Sequence, residues 1–154
     1  MALTTLGNTA FSTSAVVSAT IKDSAVVYNK LDANTAHTDR NQSFSVAQRG
    51  TISALGVQTS TVTLDMNTAN YFSLTANGNI TIANPTNLTA GQAGAIIVTA
   101  NGSYTTSFGS QWRFATGTAP TLSTSAGKVD RLDYVVQSSN TIHTVATIDL
   151  LGTA

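Results

Sequence analysis

The stretch that decides the predicted fold runs Asn70-Tyr71-Phe72-Ser73-Leu74-Thr75-Ala76-Asn77-Gly78-Asn79-Ile80-Thr81-Ile82-Ala83. Two runs that favour β-strands flank an Asn-Gly pair, and Ile80 and Ile82 fall on one face of the second run. Both residues of such a pair tolerate the positive φ angles that a type I′ turn requires, which makes it a strong hairpin signal. The sequence therefore predicts an antiparallel hairpin centred on Asn77 and Gly78.

The same kinds of signal recur on both sides of this stretch. A second Asn-Gly pair, Asn101-Gly102, again separates two strand-like runs, and residues 59–66 alternate between apolar and polar side chains. A third hairpin is predicted between residues 131–137 and 141–150. Seven or eight short strands in about 110 residues predict an all-β, antiparallel β-sandwich or jelly-roll-like domain.

Charged residues are scarce in this sequence. The 154 residues include 7 basic and 7 acidic ones, or 9% charged, whereas soluble domains usually have about 25%. The formal net charge of zero provides no general attraction to nucleic acids or anionic membranes, so neither is expected as a partner. No charged residue lies between Met66 and Gln111. Such a surface protects a free monomer poorly, which favours a protein that works within an assembly.

Other classes of protein are excluded by missing residues. The chain has no cysteine, which excludes disulfides, thiolate nucleophiles and cysteine-based metal sites. Its first residues lack a basic segment followed by an unbroken apolar run, so no signal peptide is expected. No apolar run approaches the roughly 20 residues of a membrane span.

The first 42 residues differ in composition from the remainder. They have no glycine after Gly7, and apolar residues recur in them at an offset of about ten residues. We therefore divide the chain into an extended N-terminal arm or short stalk, residues 1–42, and a β-domain, residues 43–154. One interpretation is an ordinary extended arm, and the other is a segment whose apolar residues need neighbouring chains for burial. The candidate contacts with other chains are Val16, Val17, Ile21, Val26, Val27 and Leu31.

Candidate catalytic or metal-binding residues are few, and no catalytic residue, cofactor or metal is predicted. His37 lies in a polar run, and His143 alternates out of phase with Ile142 and Ile148, which predicts that it points away from their face. Asp130 and Asp133 have Lys128 and Arg131 as sequence neighbours, so local charge pairing is the simplest prediction. A calcium loop is the less favoured alternative, because the dense series of Asp and Asn ligands is missing.

One cluster of aromatic residues has two interpretations. Residues 108–114 include three of the ten aromatic residues, among them Trp112 and Phe114. Trp112 and Phe114, together with Tyr104, are candidates for an outer loop that stacks on a sugar. The alternative is that they fill the core or cover one end of the sandwich.

Two parts of the chain resemble proteins of tailed bacteriophages. The main part resembles a β-sandwich module of virion proteins, and the likeness is carried by residues 45–51, 70–75, 83–94, 108–114, 117–124 and 129–134. In the arm, residues 20–26 and 30–34 are similar to the ten-residue repeats of fibre stalks, whose subunits associate as trimers. About two copies are visible, which fits a short stalk or clasp.

The resemblance implies a structural, non-enzymatic virion protein that forms a homotrimer. In one placement it is a capsid decoration (cement or head-fibre) protein, located on the capsid surface and bound to the major capsid protein or another virion protein. In the other it is a tail-fibre or receptor-binding tip, with residues 84–90 or 107–114 against the host surface. The short, self-contained chain favours decoration. A depolymerase is the third interpretation, disfavoured because we find no paired carboxylates of the kind such hydrolases use.

Overall fold

The structure, a computed structural model, describes residues 47–150, and it confirms the prediction of an all-β protein. Contacts divide the chain between Ala47 and Gln48, and every element described belongs to the unit that begins at Gln48. A single-turn 3-10 helix at Ala115–Gly117 accompanies nine strands within the described residues: β1 (Ile52–Gln58), β2 (Thr61–Val62), β3 (Tyr71–Ala76), β4 (Ile80–Ile82), β5 (Ala93–Ala100), β6 (Thr106–Phe108), β7 (Trp112–Arg113), β8 (Val129–Ser138) and β9 (Thr141–Leu150).

The first six strands form three stacked coils. Each coil contributes one strand to a six-stranded sheet, in the order β1-β3-β5-β8-β9-β7, and one to a three-stranded sheet, in the order β2-β4-β6. All pairings between successive coils are parallel: β1 with β3 and β3 with β5 in the larger sheet, and β2 with β4 and β4 with β6 in the smaller one. The chain therefore turns from one sheet to the other and back, and each coil lies on the preceding one.

The predicted hairpins at the two Asn-Gly pairs are wrong. Each pair is a corner at which the chain leaves the larger sheet for the smaller one. The backbone N–H of Asn77 donates to Gln58 O in the preceding coil, and that of Asn101 donates to Ala76 O, both at 2.9 Å. A type I′ turn needs positive φ at both central residues, but neither Asn77 nor Asn101 has it, whereas Gly78 and Gly102 do. The prediction of an antiparallel domain is therefore wrong for the stacked coils.

The third predicted hairpin is confirmed. Strands β8 and β9 pair antiparallel across a short turn, and β8 also pairs antiparallel with β5. This hairpin covers the edge that the third coil would otherwise leave open in the larger sheet. Strand β7 then pairs parallel with β9 through Trp112 and Arg113.

One hydrophobic core receives side chains from both sheets. Alternation with a period of two places every second residue of a strand on the inner side, as in β3, where Phe72, Leu74 and Ala76 are buried. In the smaller sheet, Ile80 and Ile82 point inward in the same way. Other buried members are Val62, Leu64, Met66, Ile96, Val98, Ala100, Tyr104, Trp112, Leu122, Leu132, Tyr134, Val136 and Ile142.

Candidate interaction surfaces

The aromatic side chains of residues 108–114 pack on one another instead of forming an outer binding loop. Trp112 is 4% exposed, and its Nε1 donates a hydrogen bond to the carbonyl oxygen of Ala83 at 2.9 Å. Phe108 contacts Trp112 and the half-buried Phe114 edge to face, with ring centroids 6.4 and 4.8 Å away. The ring of Trp112 also meets that of Tyr134 at 6.4 Å. This placement corresponds to the core-filling alternative and leaves Trp112 unable to stack on a sugar.

Tyr104 is buried as well, away from these rings. Its ring makes no aromatic contact with the described residues, and its hydroxyl has no hydrogen-bond partner of good geometry among them. Burial, followed by the negative charge of Asp130, raises the pKa of Tyr104 to about 12. The three aromatic candidates therefore form no common binding surface.

Asp130 is a buried carboxylate that holds two segments together. It is 1% exposed and accepts three hydrogen bonds: from the backbone N–H of Ser123 at 2.6 Å, from the Ser123 hydroxyl at 2.7 Å and from the backbone N–H of Asp149 at 2.8 Å. These donors fix the segment around Ser123 to the end of β9. Asp130 therefore has a structural role here.

The other charges of this region form one local ion pair, as the sequence predicts, and one ion pair between residues far apart in the chain. Arg131 Nε lies 3.0 Å from the carboxylate of Asp133, and both side chains are about half exposed. Lys128 pairs with Asp149 at 2.5 Å rather than with Asp130. Within residues 47–150, no group of three or more His, Cys, Asp or Glu side chains could hold a metal ion.

Of the two histidines, only His143 lies among the described residues. It is exposed on β9 while its neighbour Ile142 is fully buried, which confirms that the two point to opposite sides. Ile148, expected on the same face as Ile142, is 40% exposed. His37 and the arm residues Val16, Val17, Ile21, Val26, Val27 and Leu31 lie outside the described residues.

Neutral polar side chains connect the second and third coils at one corner and along the outward side of the smaller sheet. Asn101 donates to the Asn77 side chain at 3.3 Å, and the hydroxyls of Thr81 and Ser107 are 2.8 Å apart. Further on, Asn84 accepts a hydrogen bond from the Gln111 backbone at 2.9 Å. The residues joined in this way are 24 to 27 positions apart in the chain. We call these contacts the polar ladder.

A repeat in the sequence marks the polar ladder. Residues 75–78 read Thr-Ala-Asn-Gly, and residues 99–102 read the same. A self-similar segment at a spacing of 20 to 50 residues is typical of stacked repeats. Interpreting each Asn-Gly pair separately, as a hairpin turn, hides that signal.

Asp65 plays a comparable part between the first and second coils. Its carboxylate accepts a hydrogen bond from the Asn87 side chain at 2.7 Å and one from the Asn67 backbone at 3.0 Å. The Asn87 amide, followed by the Asn67 N–H, lowers the pKa of Asp65 below its ordinary value, against a smaller opposing effect of burial. This exposed carboxylate thus stabilises a corner of the stack in its charged form.

The outward sides of the two sheets differ in chemistry. In the smaller sheet, the outward positions in register are Thr61, Thr81 and Ser107. We call these three residues the polar outer face. In the larger sheet, the outward side is mixed, and its polar members include Ser73, Thr75, Thr99, Arg131, Asp133, His143 and Thr147. Its apolar members include the exposed Ile52, Val57, Tyr71, Val135 and Val145, together with the half-buried Ile97. We call these six residues the apolar outer face.

A depression of about 260 Å³ lies between residues 66–70 and the segment Gly50–Thr51. None of the residues that line it is titratable. Within residues 47–150, no helix has the length and apolar character needed to cross a membrane. Comparisons with known proteins found no matching family model, no matching curated protein and no matching solved structure.

Proposed function

We propose that this protein is a structural, non-enzymatic component of a bacteriophage virion, a decoration protein that binds the major capsid protein on the head. The proposal starts from the likeness of residues 42–149 to the virion β-sandwich module. It includes a homotrimeric state and a sandwich-like arrangement in which the two sheets face each other across the shared core. The parallel coils are a departure from the antiparallel sandwich that the strand pattern predicted.

The observation that carries the proposal is that candidate catalytic and binding side chains within residues 47–150 are buried or paired inside the domain. Trp112 and Tyr104 are buried, Asp130 is fully hydrogen-bonded, and Asp133 is paired with Arg131. These side chains hold the fold together, whereas the sheets present broad outward surfaces. Broad surfaces suit contacts with other proteins, which bury about 800 Å² per partner in a typical stable complex.

The distribution of charge supports the same role. The second and third coils bear no charged side chain, and their polar ladder is made of neutral amides and hydroxyls. A free monomer with so few charges is prone to association. A subunit that is fixed on a particle has part of this surface covered by its neighbours.

A tail-fibre or receptor-binding tip is the alternative placement. The burial of Trp112 and Tyr104 counts against an aromatic glycan site, because a sugar would need an exposed ring face. The half-buried Phe114 packs its ring against Phe108. These placements favour decoration over a receptor tip that uses the predicted aromatic cluster.

The number of copies in the virion tests the placement. Quantitative mass spectrometry of purified virions, and of separated heads and tails, is expected to find the protein in the head fraction, in amounts comparable with the major capsid protein. Recovery only in the tail fraction, at a small number of copies, would replace decoration with the fibre alternative. Absence from the virion would overturn both.

The contribution of the arm is tested by deletion of residues 1–41. We expect the shortened protein to keep a β-rich circular dichroism spectrum and a cooperative thermal transition, and to lose binding to particles stripped of the native protein. Val26→Asp in the full chain is expected to weaken binding, and Ser24→Asp is the matched control. Undiminished binding of the shortened protein would exclude the arm as the attachment segment.

A further inference from the structure

The apolar outer face is an unusual surface for a protein exposed to water. The exposed fractions of Ile52, Val57 and Val145 are 52%, 61% and 67%, and those of Tyr71 and Val135 are 40% and 51%. In register, Ile52, Tyr71 and Ala95 form an apolar run across three strands, and Asp133 separates this run from Val145. Exposed apolar residues grouped in this way mark a contact surface more often than single scattered ones do.

The comparison with the opposite side of the domain strengthens this interpretation. The polar outer face presents hydroxyls to solvent, and the hydroxyls of Thr81 and Ser107 are hydrogen-bonded to each other. Sheets with parallel strands usually have both of their faces covered. On the larger sheet, the inner face has the core, and the apolar outer face has no cover within the described residues.

The charges on this side of the larger sheet suit a second copy of the same chain. Arg131 and Asp133 lie among the apolar residues and neutralise each other at 3.0 Å, and the exposed His143 lies opposite Val135 in register. The whole chain has a formal net charge of zero, so two copies do not repel each other over long distances. Because Arg131 and Asp133 form an ion pair, this surface has no strong charge of one sign that would attract an oppositely charged partner.

The size of the surface also suits self-association. Five strands at a spacing of about 4.8 Å, with about seven residues each at 3.3 Å per residue, give a footprint of roughly 550 Å². Two such footprints bury about 1,100 Å², which exceeds the roughly 1,000 Å² expected of a specific interface. Tyr71 supplies an aromatic side chain of the kind that contributes most to binding energy.

We propose that the apolar outer face is the surface through which copies of this chain associate with one another. The inference deepens the self-association that forms part of the proposed function, and it does not depend on placement in the head or the tail. Copies meet through Ile52, Val57, Tyr71, Val135 and Val145, while the polar outer face stays in solvent.

A pair of matched double variants of the full chain tests the proposal. The first variant is Val135→Lys with Val145→Lys, and both positions are exposed. The lysine introduced at position 145 would face Asp133 of its own chain in register. We therefore expect the fold to tolerate both changes. The control, Thr61→Lys with Thr63→Lys, adds the same charge at exposed positions of the opposite side. Light scattering after size exclusion, over a series of concentrations, gives the molar mass of each protein.

We expect the wild type and the control to form the same oligomer, and the Val135/Val145 variant to associate at least roughly 30-fold more weakly. Circular dichroism and the melting temperature show whether the variants are folded. A monomeric wild type at every concentration, or a folded Val135/Val145 variant with unchanged molar mass, would overturn the inference. A monomeric wild type would also withdraw the homotrimeric state, whereas an unchanged Val135/Val145 variant would withdraw only this surface. In both cases, a wild type found on virion heads keeps the decoration role.

Discussion

At the scale of single residues, two buried tyrosines differ in one hydrogen bond. The hydroxyl of Tyr134 donates to the carbonyl oxygen of Asn70 at 2.8 Å, whereas that of Tyr104 has no partner of good geometry among the described residues. Burial is the main cause that raises the pKa of each to about 12. Both side chains are therefore neutral at physiological pH, and the hydrogen bond is the main difference between them.

This difference predicts that the same substitution, Tyr to Phe, lowers stability at one position and not at the other. Tyr134→Phe is expected to lower the free energy of unfolding by about 1 kcal/mol, because a buried hydrogen bond is lost. Tyr104→Phe is expected to leave it unchanged or to raise it by up to about 1 kcal/mol, since an unpaired buried hydroxyl is removed. Urea denaturation of the two variants measures both values. Equal losses in the two variants would mean that Tyr104 has a partner of comparable strength.

Asp130 is the second residue whose effect follows from its contacts. Asp130→Ala removes the acceptor of three hydrogen bonds and leaves the donors of Ser123 and Asp149 without it. We expect a loss of about 3 kcal/mol in the free energy of unfolding. Asp133→Ala is the control, because the half-exposed pair with Arg131 contributes about 0.5 kcal/mol or less. Thermal or urea denaturation compares the two, and equal losses would contradict a structural role for Asp130.

At the scale of the strands, the polar ladder explains the shortage of charge. When coils stack in parallel, equivalent residues of successive coils lie directly beside each other. Thr81 therefore lies beside Ser107, and Asn77 lies beside Asn101. Like charges at such positions would lie about 4.8 Å apart and repel each other. Neutral amides and hydroxyls serve as both donors and acceptors and can form hydrogen bonds from one coil to the next. The abundance of Asn, Thr and Ser in this segment is therefore a consequence of stacking.

A double-mutant cycle at Thr81 and Ser107 tests this explanation. Thr81→Asp with Ser107→Asp is expected to be less stable than the sum of the single changes by about 0.5 to 1 kcal/mol, because the two carboxylates repel each other. Thr81→Asp with Ser107→Lys is expected to recover that loss. Added salt reduces the coupling in both pairs, since these side chains lie at the surface. Additive effects at low salt would contradict direct stacking of the two positions.

At the scale of the whole molecule, the parallel stack and the hairpin predict different neighbours. The stack brings Asn77 and Asn101 into side-chain contact at 3.3 Å. A hairpin at Asn77-Gly78 would instead place Leu74 opposite Thr81, two residues that belong to different sheets in the structure. Adjacent parallel strands have the Cα spacing that a disulfide needs.

Engineered cysteines distinguish these arrangements, and the absence of native cysteine makes the result unambiguous. Asn77→Cys with Asn101→Cys is expected to form an intramolecular disulfide under mild oxidation, detected by its electrophoretic mobility and by mass spectrometry. Leu74→Cys with Thr81→Cys is the control and is expected to remain reduced. Efficient oxidation of the control, with none in the first pair, would contradict the parallel stack and support the hairpin at Asn77-Gly78.

The sequence alone was sufficient for the all-β class, the last hairpin and the local ion pair between Arg131 and Asp133. It was also sufficient to suggest a core position for Trp112, as one of two alternatives. These features depend on residues close together in the chain or on side-chain alternation within one strand. The repeated Thr-Ala-Asn-Gly segment was available in the sequence too, although its meaning depends on which residues stack.

Only the tertiary structure decided the partners of the first six strands. An alternating pattern fixes which side of a strand is buried, and it is the same for parallel and antiparallel neighbours. An Asn-Gly pair permits a tight turn, but the hydrogen bonds from Asn77 to Gln58 and from Asn101 to Ala76 join residues far apart in the chain. The burial of Tyr104 and the apolar outer face follow from that stacking, because they depend on which strands lie side by side.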